Sequence, residues 1–405
     1  MITLESFRLR NFKAVRDTEE LKFGAFTIIV GANGSGKSSL LEGIEVYHSL
    51  GTSDVDAIFN EPRWRGFHHV WNKAVPHKPG TGKENSKLLQ NPMGFDAVIN
   101  RQPLRRRYEL LSEITQSADG EVIISRETVQ RSGGIGRADT FERDSKGKVS
   151  RIEPKHGVTK KATSTQPPAF YRTIEPGVSI LASGYAKPFG DWQFLNLHAG
   201  LMGQPTARLG GKLQRGMASD GSNLAEVVRK LSDAGLQRLV ESLRQIIGYA
   251  GDLEVDEFSP VDRTVYLKLQ EGDFQIPGWL LSGGTMRLVA ILACLYRDVP
   301  PPLLVIEEIE NGLDPRTVGF LVNQIHEVLK EGKTQIIVTT HSPFFLSQAT
   351  LDHLLLCQRD SKGEPHFWRP SDSKELKEWS EDFNPGDLYS TGRIQKAMKK
   401  ALGDK

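Results

Sequence analysis

Residues 28–42 read IIVGANGSGKSSLLE, and this stretch decides which fold the chain can adopt. It contains Gly31, four further residues, and then Gly36, Lys37 and Ser38, which is the pattern of a phosphate-binding loop. A β-branched apolar run precedes the pattern and apolar residues at helical spacing follow it. We therefore predict a strand, a loop and a helix in that order. Backbone N–H groups of a glycine-rich loop and of a helix N-terminus can converge on one anion, so the stretch predicts a nucleotide phosphate site.

The predicted loop assigns roles to individual side chains. Lys37 is expected to reach the β- and γ-phosphates of ATP, and the Ser38 hydroxyl is expected to ligate Mg²⁺. The bare pattern arises by chance in about one chain in a hundred, but the flanking strand and helix argue against a chance match. The residues predicted to contact ATP here are Asn33, Gly34, Ser35, Gly36, Lys37, Ser38 and Ser39.

The composition is that of an ordinary globular protein. The chain has 405 residues, of which 38% are hydrophobic and 25% charged, and its net charge is +2. Its length suggests two or three domains. No apolar run reaches the roughly eighteen residues that a membrane span needs, and residues 1–10 lack the pattern of a signal peptide. Cys294 and Cys357 lie in apolar runs, which favours buried thiols in a reducing compartment. We therefore expect a cytoplasmic protein without a membrane partner.

Residues 51–94 lose any regular periodicity, and we interpret them as a long irregular insertion. Several Trp and His side chains are scattered through this stretch. No cysteine or carboxylate cluster accompanies them, so a loop is favoured over a zinc site. These side chains are Trp64, His68, His69, Trp71 and His77.

From residue 97 to residue 153 the sequence alternates between apolar and polar residues and is interrupted by turns. This pattern is typical of an antiparallel β subdomain. The dipeptides at 119–120 and 146–147 predict hairpin turns.

The same region carries a local excess of positive charge. Residues 101–161 hold 14 Lys or Arg against 9 Asp or Glu, and the densest run is Arg105, Arg106 and Arg107. Such a surface can contact the phosphate backbone of DNA. Acidic residues are interleaved, however, so a solvated hairpin face is slightly favoured.

Residues 167–281 are less regular and contain two helical patterns. Asn223, with Glu226 three residues later, fits a helix start, and apolar residues between 236 and 247 keep helical spacing. Strand alternation returns between 253 and 269. Gly and Pro interrupt every candidate heptad run, so no long coiled coil is expected.

A second helix N-terminus suited to an anion is predicted in residues 281–292, LSGGTMRLVAIL. Ser282, Gly283 and Gly284 stand at the start of this apolar helix. They lie about 245 residues from the first loop, and a phosphate-binding loop does not require them.

Carboxylates end the next buried strand, and a histidine ends the strand after it. Glu307 and Glu308 follow the apolar run at 303–306. We assign Glu307 to the metal and Glu308 to the attacking water, because phosphoryl transfer needs positioning and charge compensation. His341 follows the apolar run at 335–340 and can donate to a phosphate oxygen, although a lone histidine is more often structural.

The order of these segments resembles that of the ABC-type ATPases, in which the Walker A, signature, Walker B, D-loop and H-loop motifs follow one another. The matching segments are residues 31–38, 282–285, 303–308, 313–314 and His341. The chain is similar to the RecF/SMC-like branch of stand-alone prokaryotic ATPases. The similarity extends to residues 11–13, 220–225 and 386–389, which match secondary motifs of that branch. Two positions depart from the pattern: Glu307 replaces the usual Asp, and Thr285 replaces the usual Gln.

The resemblance implies a homodimer or higher assembly that sandwiches two nucleotides. Each nucleotide would lie between the Walker A loop of one chain and the signature of another, so that ATP closes the dimer and hydrolysis releases it. It makes Lys37, Glu308 and His341 the catalytic residues, and Gln193 becomes the candidate for the Q-loop. The nucleotide contacts that it adds are Ser282, Gly283, Gly284 and Asp314.

We therefore expect an α/β fold: a P-loop NTPase head of the ABC type with a mixed, mainly parallel sheet, an antiparallel β subdomain and a helical insertion. The expected segments are a Walker A lobe (1–50), the irregular insertion with the β subdomain (51–166), a helical lid (167–260), a lobe with the signature, Walker B, D-loop and H-loop (261–350), and a closing strand with a tail (351–405).

The resemblance favours one function and leaves others open. It implies an ATP-driven switch, and it favours the sensor ATPase of an antiphage defence system with a nuclease or toxin partner, as in Septu and PARIS. A RecF-like repair ATPase is the alternative. A transporter energy subunit is disfavoured, because a β subdomain and long loops separate the Walker A loop from the signature. An intrinsic nuclease is also disfavoured, because that fold needs a further domain with clustered acids. The candidate acidic residues form no pair at a strand end: Asp372, Glu375, Glu378, Glu381, Asp382 and Asp387.

Overall fold

The computed structural model of the chain describes residues 1–76, 88–133, 139–152, 175, 178–183, 189–208, 216–259, 261 and 263–403. The strands are β1 (Ile2–Phe12), β2 (Val15–Asp17), β3 (Leu21–Lys22), β4 (Phe26–Val30), β5 (Met93–Arg101), β6 (Arg106–Gln116), β7 (Val122–Gly133), β8 (Asp139–Arg143), β9 (Val149–Ile152), β10 (Gln193–Leu195), β11 (Thr206–Ala207), β12 (Ala250–Ser259), β13 (Thr264–Glu271), β14 (Phe274–Pro277), β15 (Leu303–Ile306), β16 (Gln335–Thr340), β17 (Leu354–Arg359) and β18 (Pro365–Trp368). The α-helices are α1 (Lys37–Ser49), α2 (Val55–Phe59), α3 (Phe67–Val70), α4 (Ala199–Met202), α5 (Leu224–Arg229), α6 (Asp233–Ile246), α7 (Gly283–Leu295), α8 (Pro315–Lys330), α9 (Pro343–Leu346), α10 (Lys374–Trp379), α11 (Pro385–Ser390) and α12 (Arg393–Leu402). Short 3₁₀ turns lie at Ile180–Ser183, Gly278–Leu280, Leu351–His353 and Pro370–Asp372.

A mainly parallel sheet forms the centre of the molecule. Its strand order is β10-β15-β16-β4-β17-β18, and neighbouring strands are parallel except for β17 and β18. β4, β15 and β16 are buried at every position, as expected for parallel strands that are covered on both faces. This burial explains why their sequences are continuous apolar runs. The predicted α/β fold with a mixed, mainly parallel sheet is confirmed.

The two faces of this sheet contribute to different hydrophobic cores. On β4, Ile28 and Val30 belong to one core and Ile29 belongs to the other, because successive side chains of a strand point to opposite faces. The first core includes apolar residues of α7 and α8, and the second includes α1 and β1. The loop after β4 is therefore carried by a strand that is packed on both sides.

The second sheet is antiparallel, with the strand order β2-β1-β5-β6-β7-β8-β9 and with β3 paired to β1. The predicted hairpin turns at 119–120 and 146–147 are confirmed, since they connect β6 to β7 and β8 to β9. The sheet also includes β1, which pairs with β5. The β subdomain is therefore not confined to residues 51–166, because the N-terminal strand supplies both hydrogen bonds and core residues to it.

The insertion at residues 51–94 is more ordered than the sequence predicts. It contains α2 and α3, and Trp64 and Trp71 are each only 2% exposed in the core around β1. The two helices have five and four residues, which is too short for helical periodicity to appear in the sequence. Burial of the aromatic side chains orders the segment. Residues 77–87, which include His77, lie outside the described residues.

The segment predicted as a helical lid (167–260) contains both helices and strands. α5 and α6 confirm the two helical patterns, but β10 joins the central sheet and β12 pairs with β13. Asn223 directly precedes α5 as predicted. Its side chain does not cap the helix; it accepts from Ala218 N at 2.7 Å and donates to Gly216 O at 3.1 Å.

Helix lengths agree with the expected absence of a long coiled coil. Within the described residues, the longest helix is α8 with 16 residues, which corresponds to a length of about 24 Å. In the same part of the chain, no helix combines the length and the apolar character that crossing a membrane requires.

Candidate nucleotide-binding and active site

Three neighbouring strands bring the predicted site residues to one edge of the central sheet. β15, β16 and β4 are adjacent and parallel, so their carboxyl ends lie side by side. Glu307 and Glu308 follow β15, His341 follows β16, and the loop at 31–36 follows β4. Ligands of open α/β sheets bind beyond the carboxyl ends of the strands. The topology thus places the separate sequence motifs where a single ligand can contact all of them.

The loop after β4 has the shape of an anion cradle. Gly36 has φ of 121°, a conformation that a side chain would strain, and α1 begins at the next residue. Lys37 is buried, and its Nζ donates to Gly31 O at 2.7 Å and to Ala32 O at 3.0 Å. Burial lowers the pKa of Lys37, while nearby thiol and carboxylate groups oppose the shift. The ammonium is thus held inside the loop by backbone oxygens.

The other residues predicted to contact phosphate surround this lysine. Asn33 and Gly34 are exposed at the tip of the loop, Ser35 is buried, and Ser38 and Ser39 lie in the first turn of α1. Ser35 Oγ is buried and has no hydrogen-bond partner in the described structure. Their contacts with a nucleotide remain a prediction.

A hydroxyl and a carboxylate meet next to the loop. The Ser38 hydroxyl donates to Glu307 Oε1, although 269 residues separate the two along the chain. Oxygen ligands of this kind are those that Mg²⁺ prefers. The two residues assigned to the metal from the sequence therefore fit an Mg²⁺ site, because the Glu307 carboxylate reaches the Ser38 hydroxyl.

Glu308 is held in an uncommon backbone conformation. Its φ is 47°, which is rare for a residue other than glycine and costs about 1–3 kcal/mol. Its N–H donates to Thr339 Oγ1 at 2.8 Å, and Thr339 lies on β16 two residues before His341. Strain of this kind persists where neighbouring structure enforces it and is concentrated at functional sites. The conformation of Glu308 is therefore coupled to the end of β16.

His341 has a partner that the sequence interpretation missed. Its backbone N donates to Glu310 Oε1 at 2.8 Å, and its Nδ1 lies 3.3 Å from the same oxygen. Glu310 is almost fully buried, whereas the His341 side chain is half exposed. In the sequence, Glu310 follows the strand end by four residues and resembles one more loop carboxylate. The one feature of the sequence that could have pointed to Glu310 is its position two residues after Glu308.

The signature segment forms a helix N-terminus, as predicted. Ser282 precedes α7, its Oγ accepts from Thr285 N at 3.0 Å, and it is exposed together with Gly283. A Cβ at Gly284 would overlap the backbone oxygen of Gly312, so only glycine permits this close approach of α7 to the turn after β15. The helix start is open to solvent, and its contact with a nucleotide remains a prediction.

Arg287 connects α7 to the end of β15. Its Nη2 donates to the backbone oxygens of Glu307 and Glu308, each at 2.6 Å, and its Nη1 donates to Leu197 O at 3.3 Å. Burial lowers the pKa of this guanidinium, whereas the nearby carboxylates, with Glu310 contributing most, raise it. The sequence interpretation missed Arg287 because its partners are backbone oxygens, which carry no sequence signal. A movement of α7 would displace the strand end that carries Glu308.

Asp314 has a structural role in this structure. Its carboxylate caps α8, accepting from Arg316 N at 2.9 Å and from the N and Oγ1 of Thr317 at 3.1 and 2.5 Å. The hydrogen bonds from Thr317 lower the pKa of this carboxyl. The nucleotide contact that the D-loop resemblance assigns to Asp314 remains a prediction.

The assignment of Gln193 to the Q-loop is wrong. Its side chain is buried, donating to Met217 O at 2.5 Å and accepting from Met217 N at 2.9 Å. It also lies at the start of β10, opposite Leu304 in the parallel register, and so away from the carboxyl edge. Asn196, the exposed residue that follows β10, has the strand-end position that such a glutamine would need.

The C-terminal segment packs next to the carboxyl edge of the central sheet. α11 packs on α9, the helix that follows His341. Tyr389 of α11 lines a cavity of about 270 Å³ together with residues 31–35 and Cys357. Burial raises the pKa of the Tyr389 phenol, and the negative charge of Glu310 raises it further. Cys357 is a buried free thiol whose pKa is raised to about 11, mainly by burial, as expected for a small core residue.

The strand order, the loop at 31–38 and the helix start at Ser282 are those of an ABC-type ATPase head of the SMC/RecF-like kind. Residues 26–347 match the model of the family described as "AAA domain, putative AbiEii toxin, Type IV TA system". The chain belongs to this family.

Three relatives show how far the similarity extends. The Smc head domain of Pyrococcus furiosus, solved with an extended coiled coil and bound to the C-terminal domain of ScpA, has a TM-score of 0.55 at 15% identity and covers 94% of this chain and 100% of its own. The OLD nuclease of Thermus scotoductus is 24% identical over 170 residues, which are 38% of this chain and 32% of that protein. A "Putative ABC transporter ATP-binding protein" of Pyrococcus furiosus is 43% identical over 88 residues, which are 22% of this chain and 31% of that protein. The chain thus spans about a third of the length of the last two relatives.

Proposed function

We propose that the chain binds and hydrolyses ATP at the edge formed by β15, β16 and β4, with Mg²⁺ as its cofactor. The observation that carries the proposal is the meeting of Ser38 with Glu307, which joins the loop after β4 to the carboxylates after β15. Lys37 binds the β- and γ-phosphates, and Glu308 orients and deprotonates the attacking water. When bound by Ser38 and Glu307, Mg²⁺ compensates the charge of the phosphate oxygens. His341 donates to the γ-phosphate.

The exposed start of α7 indicates a second chain. Ser282 and Gly283 face solvent at the N-terminus of a 13-residue helix, where unpaired N–H groups and the helix dipole favour an anion. We infer that this terminus contacts the γ-phosphate bound by another copy, so that ATP joins two chains. Groups supplied from a partner can raise the rate about 10³–10⁵-fold in related phosphoryl transfers.

Mixing two inactive variants tests this arrangement. Lys37→Ala removes the phosphate-binding lysine and Ser282→Arg blocks the helix start, so each variant alone should have little ATPase activity. In a mixed dimer, the Walker A loop of the Ser282→Arg chain meets the intact signature of the Lys37→Ala chain, which restores one site. We expect phosphate release to reappear on mixing. Mixed dimers that form, as shown by differently tagged chains, yet remain inactive would contradict a shared site.

We further propose that this ATPase regulates a nuclease or toxin partner in a prokaryotic antiphage system. The family description, which refers to a toxin and a toxin–antitoxin system, and the similarity to an OLD nuclease support this role. Repair of DNA in the manner of RecF is the alternative, and the Smc-like fold favours it. The neighbouring genes distinguish the two: an adjacent nuclease or toxin gene supports the first role, and an adjacent recombination gene contradicts it.

Direct DNA binding would involve fewer arginines than the sequence suggests. Arg107 is paired with Glu5 at 2.8 Å and with Glu109 at 3.2 Å, and Arg143 is buried and donates to a backbone oxygen. Arg105 is exposed and Arg106 is half-buried. Within the described residues, the run at 105–107 thus offers Arg105 and Arg106 to a phosphate backbone.

The double variant Arg105→Glu, Arg106→Glu should flatten the salt dependence of DNA binding. Each lost phosphate contact reduces the slope of log K against log salt by about 0.9, which titrations at several salt concentrations measure. Lys330→Glu with Lys333→Glu makes the same change in net charge on another surface and should leave the slope unchanged. Failure of the parent to bind DNA at low salt, or equal slopes for both double variants, would contradict this contact.

A further inference from the structure

We infer that Glu310 is a positioning residue for His341, which it holds with Nδ1 facing its carboxylate and Nε2 left for the nucleotide. The inference rests on the proposed ATPase function and extends it to a residue outside the matched motifs. Glu310 touches neither the loop at 31–36 nor Ser38 through a hydrogen bond in the described structure. It acts through His341.

Two contacts fix the histidine to one carboxylate oxygen. Glu310 Oε1 accepts from the backbone N of His341 at 2.8 Å and lies 3.3 Å from Nδ1. The first contact places the residue, and the second selects the ring nitrogen that faces the protein. A hydrogen bond at one ring nitrogen of histidine sets the role of the other. Because a carboxylate only accepts hydrogen bonds, the 3.3 Å approach of Glu310 Oε1 to Nδ1 favours the form of the imidazole with a hydrogen on Nδ1.

The burial of Glu310 indicates that the negative charge of its carboxylate has a function. The side chain of Glu310 is 10% exposed, and its Oε2 is buried without a hydrogen-bond donor in the described structure. Leaving a buried acceptor unpaired costs about 1–3 kcal/mol, more for a charged group. A role limited to packing would be served at lower cost by an apolar side chain. The carboxylate is therefore retained for its effect on its neighbours.

The neighbours of Glu310 come from the elements that form the site. Its charge acts on Arg287 of α7, on Lys37 of α1 and on Tyr389 of α11. It opposes the burial that lowers the pKa of Arg287 and of Lys37, and it adds to the burial that raises the pKa of Tyr389. α11 packs on α9, the helix that begins two residues after His341. Glu310 thus lies between the signature helix, the phosphate-binding loop and the H-loop, where the position of one carboxylate affects His341 and its surroundings together.

Substitution of Glu310 should lower kcat without a matching loss of nucleotide affinity. We expect kcat of Glu310→Ala to fall about 10- to 100-fold, by analogy with the loss that follows removal of the partner that orients a metal-ligating histidine. The Kd of ATP, measured by titration, should change little. Glu310→Gln keeps an oxygen that can accept from both His341 donors, so its kcat should lie between those of the parent and the alanine variant.

A double-mutant cycle with His341→Ala separates positioning from general damage. If Glu310 acts through His341, Glu310→Ala should have almost no further effect in the His341→Ala background. Additive losses would overturn the inference, as would a parental kcat for Glu310→Ala. Glu327→Ala, an exposed carboxylate on α8 paired with Lys330, is the matched control and should hydrolyse at the parental rate.

Two measurements keep the result interpretable if activity is lost for other reasons. Thermal unfolding shows whether the Glu310→Ala variant is folded. If it is not folded, the Glu310→Gln variant is used in its place. ¹⁵N-histidine NMR of the nucleotide-free chain, with His341→Ala identifying the signal, should show a proton on Nδ1 in the parent and a changed pattern in Glu310→Ala; unchanged signals contradict the inference. A parent that does not hydrolyse ATP contradicts the proposed function instead, so the two failures are distinguishable.

Discussion

Glu308→Gln should bind ATP and hydrolyse it about 10²–10⁴-fold more slowly than the parent, the contribution typical of a positioned general base. Glutamine has nearly the same shape and can occupy the same backbone conformation, with its N–H donating to Thr339 Oγ1. It cannot take a proton from the attacking water. Phosphate release measured under saturating ATP, together with the Kd of ATP, separates the chemical step from binding.

The same variant should accumulate the ATP-bound assembly. If ATP joins two chains and hydrolysis releases them, a chain that cannot hydrolyse remains associated, and sedimentation velocity with ATP should show dimers or larger species. Glu378→Gln, an exposed carboxylate on α10, is the control and should remain active and dissociate. Hydrolysis by Glu308→Gln at the parental rate would refute the role given to Glu308.

The parts of the site that could be predicted from the sequence are those formed by residues that are neighbours in the sequence. The loop at 31–38 lies between a fully buried strand and a helix, so its pattern, its strand and its helix all appear within one short stretch. Glu307 and Glu308 could be found because β15 is buried on both faces and reads as an apolar run that ends abruptly. The fold class followed from the order of these segments.

The parts that could not be predicted depend on contacts between distant residues. Arg287 acts through the backbone oxygens of residues 20 and 21 positions away, and Glu310 acts through a residue 31 positions away. Gln193 was misassigned because its side chain pairs with the backbone of Met217. A backbone donor or acceptor is present at almost every residue, so the sequence does not indicate which one a side chain will use.

The pairing of the first strand could not be predicted for a related reason. β1 is the first strand in the sequence, yet it pairs with β5 across a register that joins Ile2 to Arg101. Local alternation identifies a strand but not its partner. The two buried tryptophans of the 51–94 insertion likewise pack on β1, and this long-range packing orders helices that are too short to be recognised by themselves.

Lys37→Ala should weaken ATP binding by about 1.5–3 kcal/mol, the contribution of a hydrogen bond to a charged group, which corresponds to about a 10- to 150-fold higher Kd. The ammonium of Lys37 is held by Gly31 O and Ala32 O, so the charge is already placed inside the loop that is proposed to receive the phosphates. Calorimetric titration with a non-hydrolysable ATP analogue measures the change.

Truncation at this position also removes two hydrogen bonds that shape the loop, and a second variant separates the two effects. Lys37→Met keeps the apolar stem, which is buried with the rest of the side chain, and removes the charge; its affinity should fall to a similar degree. Lys330→Ala, at an exposed lysine on α8, should bind ATP as the parent does. Because the loop, the metal ligands and His341 all surround one triphosphate in the proposed site, unchanged affinity of both Lys37 variants would contradict nucleotide binding at this edge of the sheet.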